Sequence, residues 1–111
     1  MSEIINFEDF TKVDLRVGTI IEVNEFPEAR NPSYKLKIDF GDLGIKQSSA
    51  QITTFYKKDD LLNRQIIGVV NFPEKQIANF KSDCLVLGAV KEKDVVLLNP
   101  ETKVLNGSVV S

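Results

Sequence analysis

Arg64-Gln-Ile-Ile-Gly-Val-Val-Asn-Phe-Pro73, Glu74-Lys-Gln-Ile-Ala-Asn-Phe-Lys-Ser82 and Asp83-Cys-Leu-Val-Leu-Gly-Ala-Val90 follow one another without a break. The outer two pieces are Ile/Val/Leu-rich runs of strand length, too short for a typical helix, and each carries one interior glycine. A glycine inside a strand marks a sharp bend, a bulge or a close approach of another chain segment. Two such strands predict a small, strongly coiled sheet. The piece between them reads as a loop that concentrates Asn71, Lys75, Gln76, Asn79, Lys81 and Ser82, with Phe72 and Phe80 among them. Hydrogen-bond donors beside exposed rings suit a nucleic-acid or peptide surface.

Outward from this stretch, Tyr34, Leu36, Ile38 and Phe40 alternate with Lys35, Lys37 and Asp39, the cleanest period-two pattern in the chain. It predicts a strand with its apolar face buried and both lysines outside. Asp14–Val23 predicts another strand, with Leu15, Val17, Ile21 and Val23 on one face and Arg16, Gly18 and Glu22 on the other. Ile45–Ile52 is a polar third strand, with Lys46 and Ser48 on one face and Gln47, Ser49 and Gln51 on the other. A helix is expected within Thr53–Asn63, capped by Thr53 or Thr54, with Phe55, Tyr56, Leu61 and Leu62 turned inward. Asn6, followed three residues later by Asp9, predicts a short helix carrying Phe7 and Phe10 on one face. Val95–Leu98 reads as a further strand, and Lys103–Val110 as a last ribbon turned at Asn106-Gly107.

Three strands, a helix and two more strands is the order of a five-stranded OB barrel whose helix plugs one end. The expected fold class is therefore all-β with short helices: a five-stranded OB-fold β-barrel plus a C-terminal β appendage used for dimerisation. A split α+β sandwich shares the element order, but Gly18, Gly68 and Gly88 favour the coiled barrel. The 111 residues are expected to form one domain, 1–111.

Chemistry is bounded mainly by what the chain does not contain. It has no histidine and one cysteine, Cys84, so the usual general base, the Ser-His and Cys-His pairs and a structural zinc site are all excluded. No enzyme, no cofactor and no metal are expected. Asp59-Asp60 reads as solvated surface, and Gly41-Asp-Leu-Gly44 as a turn. The lone cysteine, the absence of a signal segment and the absence of a long apolar run point to a cytoplasmic protein without membrane insertion. Net charge is −2, yet Arg30–Lys81 holds nine basic against five acidic side chains. A basic middle on an acidic chain permits a local positive face, although a solvated mixed surface is the plainer reading. Arg16 suits either a phosphate contact or an ion pair with a nearby acid.

Asp14-Leu-Arg-Val-Gly18, Lys46-Gln-Ser-Ser-Ala-Gln-Ile52, Gly68-Val-Val-Asn-Phe-Pro73 and Lys81-Ser82 before Leu85-Val-Leu-Gly-Ala89 resemble the tRNA-binding OB domain family. That domain ends some methionyl-tRNA synthetases and also occurs free-standing. Phe26-Pro-Glu-Ala-Arg30, Ile38-Asp-Phe-Gly41 and Ile45–Thr53 resemble the free-standing CsaA type in particular. The resemblance covers about Phe7 to Ser111. It implies a homodimeric barrel whose partner is tRNA, with a proposed chaperone activity in protein export. The alternative is an export chaperone that binds unfolded or pre-export polypeptides and has incidental RNA affinity. Carried over to this chain, the family's RNA contacts fall on Arg16, Lys35, Lys46, Asn71, Lys75, Lys81 and Ser82. Strand alternation adds Ser48 as an outward position beside Lys46. Phe72, Ile77 and Phe80 are the candidate peptide contacts.

Overall fold

The computed structural model describes residues 2–111. Two short helices and nine strands follow in chain order: α1 (Phe7–Thr11), β1 (Leu15–Glu25), β2 (Tyr34–Asp39), β3 (Ile45–Ala50), α2 (Lys58–Leu61), β4 (Gln65–Val69), β5 (Lys75–Ile77), β6 (Phe80–Ser82), β7 (Leu85–Val86), β8 (Gly88–Lys91) and β9 (Asp94–Leu97). One antiparallel sheet runs β3-β2-β1-β4-β7, while β5-β6 and β8-β9 are separate hairpins. The sheet curls until β3 nears its far end. There the Asp83 N–H donates to the Gln47 carbonyl at 2.9 Å, and the Gln47 N–H donates to Asp83 Oδ1 at 2.6 Å. The result is a nearly closed five-stranded OB barrel.

The interior follows from the β2 alternation. Leu36, Ile38 and Phe40 are fully buried, and Tyr34 nearly so. Each such side chain contributes about 1.5–3 kcal/mol by leaving water. Ile20, Ile52, Ile66, Cys84 and Leu97 complete the core, and Leu61 from α2 joins them. The interior glycines are close approaches. A Cβ on Gly18 would meet Ile38 and the Phe40 ring at 2.6–2.8 Å, and one on Gly68 would meet the same ring at 3.0 Å. Phe40 therefore occupies space that side chains at 18 and 68 would need.

Four expectations about local structure are corrected. First, β1 carries a bulge between Ile20 and Glu22, so Ile20 is buried and Ile21 is exposed. A bulge inserts one unpaired residue and thereby reverses the facing of everything beyond it. Second, the helix in Thr53–Asn63 shrinks to Lys58–Leu61, with Lys57 at its N-cap and the Asp60 carboxylate accepting the Lys57 N–H at 2.9 Å. Leu61 is buried, but Phe55 and Leu62 are exposed. Third, Pro73–Ser82 is not a plain loop, because Lys75–Ile77 and Phe80–Ser82 pair as a hairpin. Fourth, Lys103–Val110 is not a ribbon. The Gln65 side chain holds Val104 through its N–H and its carbonyl, and the turn at Asn106-Gly107 then lays Gly107–Val110 along the start of β1. Strand-like partners exist on one side only, at the Arg16–Val109 bridge.

Candidate nucleic-acid interface

The β2–β3 register decides which lysines reach the barrel surface. Lys35 pairs with Ser49 and Lys37 with Gln47, whereas Leu36 pairs with Ser48 and Ile38 with Lys46. Directly paired residues share a face. Lys46 and Ser48 therefore project to the core side, which corrects the expectation that they stand outside beside Lys35. The cause lies further along the same strand. Ala50 and Ile52 pack into the interior, and period-two spacing carries Ser48 and Lys46 with them. Ser48 is 1% exposed, and its hydroxyl donates to the Ser49 carbonyl at 3.2 Å. It is not available to an RNA. Lys46 stands near Cys84, whose thiol is pushed up to about 12 by burial and by Asp83, with Lys46 pulling the other way. A thiol held neutral in this way is no nucleophile.

On the outer face Lys35 and Lys37 remain, joined by Glu22 and Asn24 of β1, Gln47 of β3 and Phe80 of β6 around a groove of about 170 Å³. Lys37 lies 3.7 Å from Glu22, both half-exposed, a pairing worth little in water. Among the described residues Lys35 has no carboxylate partner; its ammonium sits 5.4 Å from the centre of the Phe26 ring. Phe26 in turn meets Phe80 edge-on at 5.4 Å. This aromatic pair ties the β5–β6 hairpin to the sheet.

The hairpin register separates the residues that the sequence grouped. Lys75 opposes Ser82 and Ile77 opposes Phe80, while Gln76 opposes Lys81. Lys75, Ile77, Phe80 and Ser82 thus share one face, and Lys81 stands on the other. Ile77 and Phe80 are half-buried, and Phe72, just before the hairpin, is half exposed. The Ser82 hydroxyl is engaged with the Cys84 carbonyl at 3.2 Å.

Arg16 and Asn71 lie elsewhere. Arg16 Nε contacts Asp14 Oδ1 at 2.6 Å, and its guanidinium also donates to the Gly107 carbonyl at 3.1 Å. Asn71 accepts from the Asp14 N–H at 3.0 Å and donates to the Lys12 carbonyl at 2.8 Å. Both line a cavity of about 440 Å³ with Phe7, Phe10 and Val109, where the chain's two ends meet. Of the two readings open for Arg16, the structure shows the ion pair. Asn24 and Gln47 are not among the site residues that the sequence predicts. Their outward position beside Lys35 was readable only once the bulge and the β3 register were known. Among the described residues no group of three or more His, Cys, Asp or Glu side chains could hold a metal, and no helix is long and apolar enough to cross a membrane.

A family described as "Putative tRNA binding domain" matches residues 15–109. The chain belongs to that family. Among solved structures, the chaperone CsaA of Bacillus anthracis str. Ames is 55% identical, with a TM-score of 0.94 over 98% of this chain and 100% of that one. The CsaA chaperone protein of Picrophilus torridus is also 55% identical, with a TM-score of 0.91 over 97% of this chain and 100% of that one. The methionine--tRNA ligase of Thermococcus onnurineus is 38% identical over 106 residues, 96% of this chain but 14% of the ligase. The chain thus spans about one seventh of that relative. The two CsaA chains, by contrast, are covered over 100% of their length.

Proposed function

We propose that this protein binds tRNA, with phosphates lying over Lys35 and Lys37 on the outer face of β1–β3 and Lys75 and Lys81 reached from the hairpin. The observation that carries the reading is the outward lysine pair on a strand face, Lys35 being in no ion pair among the described residues, in a member of the family described as "Putative tRNA binding domain". Lysines there neutralise phosphate, whereas Asn24 and Gln47 offer polar contacts to sugars or bases; the Ser82 hydroxyl is held by the Cys84 carbonyl. Such binding weakens as salt rises, because each phosphate contact releases counterions. The protein works as a homodimer in the cytoplasm, presenting two such faces. Ile4, Ile5, Phe7, Leu105 and Val109 are exposed, and apolar surface of this kind, beside an irregular C-terminal strap, suits burial against a second copy. Light scattering at micromolar concentration tests the dimer, with a monomer mass as the opposing result. Filter binding of tRNA over a salt series tests the ligand, and failure to bind at low salt overturns the reading.

A second reading is a chaperone for pre-export polypeptides. Two structures 55% identical to this chain carry the name chaperone, and Phe72 is half exposed. Phe80 and Ile77 serve this reading less well, since Phe80 is packed on Phe26. Suppression of client aggregation by wild type and by Phe72→Ala tests it.

A further inference from the structure

The barrel closes at one residue of β3 and leaves the rest of that edge open. Gln47 gives both its N–H and its carbonyl to Asp83. In an antiparallel strand, successive residues direct their backbone groups to alternate sides, and β3 pairs with β2 without a break from Ile45 to Ala50. Ser49, two residues beyond Gln47, therefore turns its N–H and carbonyl away from β2 as Gln47 does. Among the described residues no backbone group meets them there, and the carbonyl receives the neighbouring Ser48 hydroxyl.

This open edge borders a cleft of about 420 Å³ between the β1–β2 loop, the β5–β6 hairpin and the β8–β9 hairpin. Arg30, Lys75 and Lys93 line it, one from each of those three connections, and among the described residues no carboxylate does. Among the described residues none of the three cations is in an ion pair. Ile77 and Leu85 supply apolar lining. An unpaired strand edge recognises another strand through its main chain, with side-chain pockets adding selectivity. A ring of unpaired cations without a carboxylate selects for negative charge.

We infer that the Ser49 edge of β3 takes up an extended, acidic polypeptide segment as an added strand, its carboxylates met by Arg30, Lys75 and Lys93. This deepens the polypeptide reading above and rests on it. It differs from the Lys35–Lys37 groove, which uses side chains on the strand face and not the strand edge, and Lys75 is the one cation that both proposals share.

The test uses the full chain and a fluorescein-labelled acetyl-Asp-Val-Thr-Val-Glu-Val-Asp-amide probe. Addition of this peptide should slow hydrogen exchange at the Ser49 amide severalfold. N-methylation of alternate peptide amides should abolish binding in one register and spare it in the other, because only alternate N–H groups face the edge. A probe with Lys replacing every acid should bind at least tenfold more weakly, and Lys93→Glu should weaken the acidic probe by a similar factor. Both peptide-side changes leave the protein's folding untouched. Binding of the probe without protection of Ser49 overturns the added strand but leaves the polypeptide reading standing; no binding of any probe overturns both. Protection of Ser49 by octauridylate and not by the peptide would make the cleft part of a nucleic-acid surface, which also overturns the proposal.

Discussion

Lys35 and Arg16 are cations on neighbouring strands of one sheet, and the fold uses them in opposite ways. Arg16 is spent on Asp14 and on the Gly107 carbonyl, so its charge fastens the C-terminal strap to β1. Lys35 sits 5.4 Å from the centre of the Phe26 ring, and among the described residues it is in no ion pair. Asn71 repeats the Arg16 pattern by pinning Lys12 and Asp14. A polar side chain in a family's functional motif is therefore available to a ligand only when the fold has not already satisfied it. The end where the two termini meet is held by such residues, whereas the hairpin end leaves its lysines unpaired.

The largest effect lies at the seam between these regions. The folded chain keeps the Cys84 proton to about 12, against an ordinary 9.0. Above pH 9 the unfolded chain has lost a proton that the folded chain retains. Stability from this group is complete below pH 9 and falls by about 1.4 kcal/mol per pH unit as pH climbs toward the folded value. Urea midpoints at pH 8, 9.5 and 10.5 should drop less steeply in Cys84→Ala than in wild type. Equal slopes would mean that the thiol near Lys46 is solvated, and the seam open.

Arg16→Ala should cost about 1.5–3 kcal/mol, the usual loss for hydrogen bonds to a charged group. In the part that stays folded it should leave the salt dependence of tRNA binding unchanged. A shallower slope would put Arg16 on phosphate and break the contrast with Lys35. Lys35→Ala should do the reverse. Its stability should stay within about 0.5 kcal/mol of wild type, as expected for surface changes. Its slope of log K against log salt should fall by about 0.7–0.9.

How far these residues were legible from sequence depended on how strongly their strand was specified. Tyr34–Phe40 alternates large apolar side chains with charges, so its register and its outward Lys35 and Lys37 were readable directly. In Ile45–Ile52 the decisive residues are Ala50 and Ile52 at the far end; the small polar side chains before them give either face equal standing, so alternation alone does not turn Lys46 and Ser48 inward. Ile20-Ile21 offers two equivalent apolar residues to one core position. Only the Ile38 and Lys37 pairing shows which of them is the bulge. Asn71 and Arg16 sit in matching motifs, but a motif does not reveal a partner carbonyl at Lys12 or Gly107. The β5–β6 hairpin was invisible because its turn carries Ala78-Asn79 where hairpin turns usually carry glycine.

That turn is the basis of the smallest effect. Ala78 has a φ of +52° and is the first residue of a two-residue connection between Ile77 and Phe80, a position where such turns favour glycine. The Gln76 side chain donates to the Ala78 carbonyl at 2.7 Å and helps hold it. A left-handed conformation costs an L-residue about 1–2 kcal/mol. Glycine removes that cost but makes the unfolded chain freer by about 0.4–1 kcal/mol. Ala78→Gly should thus raise stability by about 0.5 kcal/mol, while Ala78→Val, β-branched at positive φ, should lower it by more than about 1 kcal/mol. Because Phe80 fastens the hairpin to Phe26, neither change should alter the tRNA salt slope set by Lys35. If Ala78→Gly changed that slope, the hairpin tip would belong to the ligand surface, and the division between a structural and a binding end would run through the hairpin itself.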